Sequence, residues 1–463
     1  MSKGQMLATV LARGPQPAGD AARLLGVSRS TLSRTVRAAG RQIVTRGTAR
    51  RTTYGLRRAL RGSDNPLPLY RVDAQGELHR IGELDLVAPS GIAVRWEDAA
   101  AFEWPLEPSM RDGWFDGLPY FMQDMRPQGF LGRHFARNLA AMHPLSEDPR
   151  DWSDDDVLYA LSLAGADTPG NLLLGETAAR RWLDVVARTR LAGSVPDADP
   201  RQHDLRLSEQ ADDAMRTPQV GSSAGGEFPK FAGHRTSTSG DLPTLVKFSG
   251  SDGSPGSQRW ADLLVCESLV ARILTQLGVP SVHGRISTAA GRTFLELDRF
   301  DRHGPLGRSA VLSWFAINHG LVSSTDDWPT ATKSLVQRDW LSLDDWHRIR
   351  KLWLFGRLIA NTDMHDGNLA FVPSAETRPG RHGFALAPVY DMLPMAYAPG
   401  RGVEPPVIDY RPQLPLPEER DDWAAAARAA IRFWSVCAND QRITPPFRAI
   451  CEDNAGRLSA VFG

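Results

Sequence analysis

Of the chain's 54 Lys and Arg residues, 13 fall within residues 1–62, and that segment holds a single acid, Asp20. The remaining 401 residues hold 41 bases and 53 acids. The formal net charge of zero is therefore two opposite modules cancelling, +12 against −12. A basic head on an acidic body suggests a nucleic-acid-binding module joined to something else.

The 463 residues allow two to four domains, at roughly 100–200 residues each. A hydrophobic share of 42% and a charged share of 23% exclude a mainly disordered chain. Three cysteines, Cys266, Cys437 and Cys451, with no CxxC pair, give no disulfide framework and no structural zinc site. The start MSKGQMLATVLARG has neither the apolar run nor the cleavage site of a signal peptide. No stretch reaches the roughly 18 apolar residues a membrane span needs. The best apolar stretch, Leu263 to Val279, is interrupted by Glu267 and Arg272. The expectation is a cytoplasmic protein without a membrane partner.

Within the head, residues 3–13 form a short helix with Met6, Leu7, Val10 and Leu11 on one side, ended by Pro15 and Pro17. Residues 18–40 follow with Ala21, Ala22, Leu24 and Leu25 in a second helix. Gly26 suits a left-handed turn, Val27 the corner and Ser28 the cap of a third helix. That third helix buries Leu32 and Val36. Its other faces show Arg29, Ser30, Ser33, Arg34 and Arg37, residue types that reach bases and phosphates. This is a helix–turn–helix pattern. RQIVTRGTARRTTYGL then alternates as two strands about Gly47, resembling the wing of a winged helix, with Arg46, Arg50 and Arg51 placed for phosphates. The segment 1–62 is expected to bind DNA.

The region 63–218 carries less chemistry. Residues 65–95 alternate as strands with a turn at Asp73–Gly76, residues 112–139 are rich in aromatics and glycines, and residues 155–190 read as helices. It is expected to be a packing subdomain. Residues 195–219 are polar and read as a surface connection.

The chemistry gathers after residue 219. GSSAGGEFPKFAG, 221–233, is a small-residue loop ending in Lys230, and small residues let backbone N–H groups approach phosphate oxygens. The spacing is neither that of a Walker loop nor GxGxxG. TLVKFSG, 244–250, is an apolar strand carrying Lys247, and a buried ammonium needs a partner. Glu267 on the following helix is the candidate, as in the lysine–glutamate pair of kinases. RTFLELDRFDR, 292–302, is a strand running into a charged turn, which suits a hinge between lobes with Asp298, Phe300 and Asp301 beside a nucleotide.

IANTDMHDGNLAF, 359–371, sets Asp363, His365 and Asn368 as D-x-H-x-x-N after an apolar helix. The aspartate-to-asparagine spacing is that of the protein-kinase catalytic loop. One short loop there offers an acceptor for a hydroxyl proton and an oxygen ligand for a hard cation. LAPVYDMLPM, 386–395, is an apolar run that then delivers Asp391, which resembles the second magnesium aspartate of kinases. A metal-hydrolase reading of Asp363, His365, Asp366 and Asp391 is the competing one. No HxH or HExxH supports it.

The order of these parts resembles the HipA-type serine/threonine kinases, toxins of type II toxin–antitoxin systems, over roughly residues 65–460. The fused head, GLPYFMQDMRPQGFLGR and VKFSGSDG are most similar to the YjjJ (HipH) branch. The resemblance implies an α+β, two-lobed kinase-like fold behind a winged helix–turn–helix. The expected divisions are 1–62, 63–218 (N-terminal subdomain), 219–302 (kinase N-lobe with phosphate loop and hinge) and 303–463 (helical C-lobe).

The resemblance also implies roles. Asp363 orients and deprotonates the acceptor hydroxyl, with His365 near the transferred phosphoryl. Asn368 and Asp391 ligate magnesium. Lys247 and the loop residues Ser223, Gly225, Gly226 and Lys230 contact ATP. Ser222 both lines the ATP site and falls where the family autophosphorylates, with Ser223 beside it as an alternative. Implied partners are a protein substrate, with the translation machinery a family-level expectation, DNA through residues 1–62, and an antitoxin. Two other functions remain open at this point. One is a transcription regulator whose kinase-like body senses a nucleotide. The other is a small-molecule or lipid kinase.

Overall fold

The computed structural model describes residues 1–97, 102–192, 200–216, 228–237, 240–374, 383–400 and 404–462. They divide into two compact units, Met1–Pro127 with Ala136–Arg190, and Gln128–Phe135 with Leu191–Gly463.

The first unit opens with α1 (Lys3–Leu11), β1 (Gln16–Pro17), α2 (Ala18–Leu25), α3 (Arg29–Ala39), β2 (Ile43–Arg46) and β3 (Thr53–Leu56). Leu7, Leu11, Ala21, Ala22, Leu32, Ile43 and Tyr54 form one small core, with Val27 packed against it. Gly26 ends α2 in the left-handed region, at φ 63°, and the Ser28 hydroxyl accepts from the Thr31 amide at 3.2 Å to cap α3. The three strands lie in the order β1-β3-β2. Gly47 follows β2 at φ 75°, and a Cβ there would stand 2.3 Å from the Arg51 carbonyl, so only glycine fits.

The chain continues with β4 (Leu67–Val72), β5 (Leu78–Val87), β6 (Gly91–Trp96), α4 (Pro108–Arg111), β7 (Trp114–Phe115), α5 (Gly129–Ala140), α6 (Asp154–Ala164), β8 (Leu172–Leu174) and α7 (Glu176–Ala192), with the first turns of α5 and the last residues of α7 belonging to the second unit. These strands form an antiparallel sheet, in the order β7-β6-β5-β4-β8. The basic head is locked to this sheet. Val44 packs with Val87 and Ala93. The Asp85 carboxylate, 2% exposed, accepts from both Arg46 and Arg57. Arg58 and Arg61 pair with Asp155 and Asp156 on α6.

One expectation is corrected here. Arg46 is not available to a phosphate: its guanidinium donates to Asp85 at 2.6 Å and to the Val94 carbonyl at 3.0 Å. A buried carboxylate demands cations. The head's sequence could not show that Asp85 would claim two of them.

The second unit begins with α8 (Pro200–Arg216), β9 (Lys230–Ser237), β10 (Gly240–Phe248), α9 (Pro255–Gln276), β11 (Gly284–Ala289) and β12 (Arg292–Asp298). The sheet is antiparallel with order β11-β12-β10-β9. The polar stretch read as a surface connection is instead α8, packed on this sheet. Leu207 and Ala211 sit in a core with Phe231, Val246, Phe248 and Phe294. His203 reaches Glu296 at 2.9 Å. Residues 203, 207, 211 and 214 recur at helical spacing, a thin stripe that the surrounding charges mask.

Beyond the hinge come β13 (Arg302–His303), β14 (Gly307–Arg308), β15 (Leu312–Ser313), α10 (Trp314–Ile317), α11 (Trp328–Gln337), α12 (Leu343–Leu358), β16 (Ala370–Pro373), β17 (Phe384–Leu386), α13 (Arg420–Asn439) and α14 (Pro445–Phe462). Rings of Phe355, Tyr397, Phe433, Trp434 and Phe447 fill this helical lobe. The three cysteines are buried, Cys266 on α9, Cys437 on α13 and Cys451 on α14, with the Cys266 and Cys437 sulfurs 3.6 Å apart as free thiols. Among the described residues no helix is long and apolar enough to cross a membrane.

Candidate active site

Strand alternation sends Val246 and Phe248 into the core beneath α8 and leaves Lys247 on the other face, 2% exposed. Helix α9 covers that face and brings Glu267, whose two carboxylate oxygens accept from Lys247 Nζ at 2.7 and 2.8 Å. Lys247 also donates to the carboxylate of Asp391. The Asp391 amide donates to Glu267 at 3.3 Å, which closes a three-residue network. Asp391 sits at φ 53°, a left-handed backbone that costs free energy and that this network holds in place.

Three buried charges at such range shift one another. Burial alone would raise the Asp391 carboxyl, but the Lys247 and Lys230 charges outweigh it and hold the group at about 2. Burial raises the Glu267 carboxyl and the Asp391 charge adds to that, against the pull of Lys247. Burial would lower Lys247, and the two carboxylates more than offset it, so the amine stays charged far above its ordinary range. Lys230 begins β9 in register with Lys247, on the same face.

The second part of the site is the loop after α12. Ala360 turns the chain at φ 57°. Asn361 Oδ1 then accepts from the Asp363 amide at 3.0 Å, and Asn368 Nδ2 donates to the Asp363 carbonyl at 2.7 Å. The Asp363 side chain is thereby fixed at its base while remaining 47% exposed. The bond through Nδ2 leaves Asn368 Oδ1 free to face a cation. His365 accepts from the Gly367 amide through Nδ1 at 3.0 Å, and its Nε2 lies 3.9 Å from Asp363. Tyr390 donates to the Gly367 carbonyl at 2.7 Å, joining the loop to the segment that carries Asp391.

The donor types suit magnesium: a carboxylate at Asp391 and an amide oxygen at Asn368 are oxygen ligands of the kind this hard cation takes. Among the described residues no three His, Cys, Asp or Glu side chains converge as a metal site, and Asp366 is held by Asn318 instead.

Asp298 ends β12 and Asp301 follows it in the turn before β13, and both carboxylates are taken. Asp298 pairs with Arg235, and Asp301 with Arg299 and Arg302. Phe300 stacks on Tyr390 with ring centroids 6.2 Å apart. Ser222, Ser223, Gly225 and Gly226 lie outside the described residues. On the head, Arg29, Ser30, Ser33, Arg34 and Arg37 are all exposed along α3, as are Arg50 and Arg51 in the β2–β3 loop. Sequence reasoning missed Asn361 and Asn318, because a side chain that holds a loop by its backbone has no fixed motif.

A two-lobed kinase-like fold with this site defines a class, and comparison places the chain within it. Residues 222–458 match the HipA-like C-terminal domain, and residues 63–183 match the middle domain of YjjJ-like toxins. The chain belongs to the HipA-like toxin family. It is 37% identical to Toxin YjjJ of Escherichia coli (strain K12) over 458 residues, which is 98% of this chain and 97% of that protein. The HipA–HipB–operator DNA complex from Shewanella oneidensis MR-1 superposes with TM-score 0.54 at 16% identity, over 86% of this chain and 96% of that one. The Helicobacter pylori kinase CtkA gives TM-score 0.34 at 10% identity, over 53% of this chain and 92% of that one.

Proposed function

We propose that the chain is an ATP- and magnesium-dependent serine/threonine protein kinase that acts as a toxin and binds DNA through its own head. The observation that carries this reading is the joining of Lys247, Glu267 and Asp391 beside a loop in which Asn368 fixes Asp363. Phosphoryl transfer asks little covalent chemistry of a protein and much positioning and charge neutralisation. These residues supply both.

Asp363 accepts the proton of the acceptor hydroxyl as its oxygen bonds to the γ-phosphorus. The bond from that phosphorus to the β–γ bridging oxygen breaks, and ADP leaves with the electron pair. Lys247 and Lys230 neutralise phosphate oxygens. For Lys247 this means exchanging Asp391 for the nucleotide while Glu267 keeps the amine aimed. Asn368 Oδ1 and the freed Asp391 carboxylate would hold magnesium, which when bound offsets the charge that develops on the phosphates.

The head's exposed arginines on α3 and its β2–β3 loop support a winged helix–turn–helix that contacts DNA. The Shewanella relative was captured with HipB and operator DNA. In this chain the basic module is fused, so operator contact does not require a separate protein, although an antitoxin partner fits the family. Phosphorylation at Ser222 would add up to about −2 charge to the phosphate loop and switch the enzyme off.

Phosphoproteomics after induction tests the protein-kinase reading, in cytoplasm, against Asp363→Ala. New phosphoserine or phosphothreonine sites confined to wild type, including one at Ser222 or Ser223, support it. Identical phosphoproteomes overturn it. Footprinting at low salt tests the head: an operator unprotected by the full chain overturns the DNA reading.

A further inference from the structure

We infer that Asn318 is a positioning residue for phosphoryl transfer, acting through Asp366. The inference rests on the kinase reading above.

Strand β15 pairs with β16, the strand that leaves the catalytic loop, in the register Ser313 to Ala370. The Trp314 amide donates to the Leu369 carbonyl at 2.7 Å. The chain then turns through α10 into a single π-helical turn, Asn318–Val322, closed by the Ser323 amide on the Asn318 carbonyl. Ser323 adopts φ 59°. Such wide turns are rare and concentrate at functional sites.

The turn aims one side chain at the loop. Asn318, 7% exposed, donates from Nδ2 to Asp366 at 2.9 Å and to the Ser324 carbonyl at 2.8 Å. Its Oδ1 accepts from the Ser324 amide at 2.8 Å. Both amide hydrogens and the oxygen are therefore committed, and the orientation of the group is fixed by its partners. Flipping it would set its carbonyl against a carboxylate and another carbonyl.

Asp366 stands midway between Asp363 and Asn368. Asn361 holds the loop before Asp363, and Tyr390 holds the Gly367 carbonyl. Asn318 holds the tip, which neither of those reaches. It also keeps the Asp366 carboxylate engaged, away from competition with Asn368 and Asp391 for a cation.

The test uses the full chain and three variants: Asn318→Asp, Asp366→Asn and the double exchange. Asn318→Asp sets two carboxylates face to face. It should lower kcat by about 10–100-fold with little change in KM for ATP, the cost expected of a misplacement near 1 Å. It should also raise amide hydrogen exchange across residues 363–369. Adding Asp366→Asn restores the donor–acceptor pair across this contact but leaves a carboxylate against the Ser324 carbonyl, so both readouts should recover part of the way toward Asp366→Asn alone. A merely structural residue would lower the unfolding midpoint without this rescue. Unchanged exchange in Asn318→Asp, or a folded double variant that shows no recovery over Asn318→Asp in either readout, overturns the inference. The exchange readout stands whether or not the wild type transfers phosphate, so a failed kinase reading shows separately as an inactive wild type.

Discussion

Lys247 donates to Glu267 at 2.7 Å and is itself 2% exposed, so the ammonium has no solvent to fall back on. Asp391 takes the same amine from the other side. The lysine thus ties the helix α9 glutamate to the segment that carries Asp391.

Replacing Lys247 with Met leaves Glu267 and Asp391 facing each other without a cation. Removing one partner of a buried ion pair costs about 3–5 kcal/mol. Lys247→Met should lose stability of that order in urea titration and lose phosphoryl transfer with it. Glu267→Gln should cost less, since Asp391 still satisfies the amine.

The same network sets a pH dependence of stability. Asp391 is held at about 2, below its ordinary 3.8. It therefore contributes stability that is present above 3.8 and lost as pH falls toward 2. Glu267 is raised above 4.5, so its contribution has the opposite sign and declines as pH rises from 4.5 through its folded value. Lys247 is raised above 10.5, and its contribution is lost only in alkali beyond that point. Urea midpoints from pH 2 to 7 should show the low-pH arm shrink in Asp391→Asn and the Glu267 arm vanish in Glu267→Gln.

On the head, exposed and buried arginines should behave differently. Arg34→Ala and Arg37→Ala should each reduce the slope of log affinity against log salt by about 0.9 for every phosphate left without its cation. Arg46→Ala should instead lower the thermal stability of the first unit, because it strips Asp85 of a partner. Fluorescence anisotropy over a salt series, paired with thermal unfolding, separates the two.

Helix α8 gives a stability test of its own. Leu207 is 3% exposed against the N-lobe sheet. Leu207→Ala should cost about 2–5 kcal/mol, as core truncations do. A residue on a surface connection would stay within about 0.5 kcal/mol.

What is legible in the sequence follows from range along the chain. Gly26 and Ser28 declare a helix boundary within three residues, and Asp363 with Asn368 declare a loop within six. Lys247 and Glu267 are pairable because a buried lysine must find a carboxylate and the next helix offers one. The contact of Lys247 with Asp391 spans 144 positions and needs the fold. Arg46 misleads because charge in a basic head looks external until Asp85 is seen buried beside it. The ion pairs of Asp298 with Arg235, and of Asp301 with Arg299 and Arg302, likewise need the fold or the turn to be seen. Asn318 leaves no trace at all: a π-turn has no periodicity to detect.

The central claim is phosphoryl transfer with Asp363 as base, and the direct measurement is transfer from γ-labelled ATP with magnesium, wild type against Asp363→Ala, with ATP affinity recorded for both. The account predicts labelled serine or threonine in wild type, a rate about 10²–10⁴-fold lower in the variant, and similar ATP affinity in the two. Equal labelling by both proteins, or none by the wild type while it binds ATP, would contradict it.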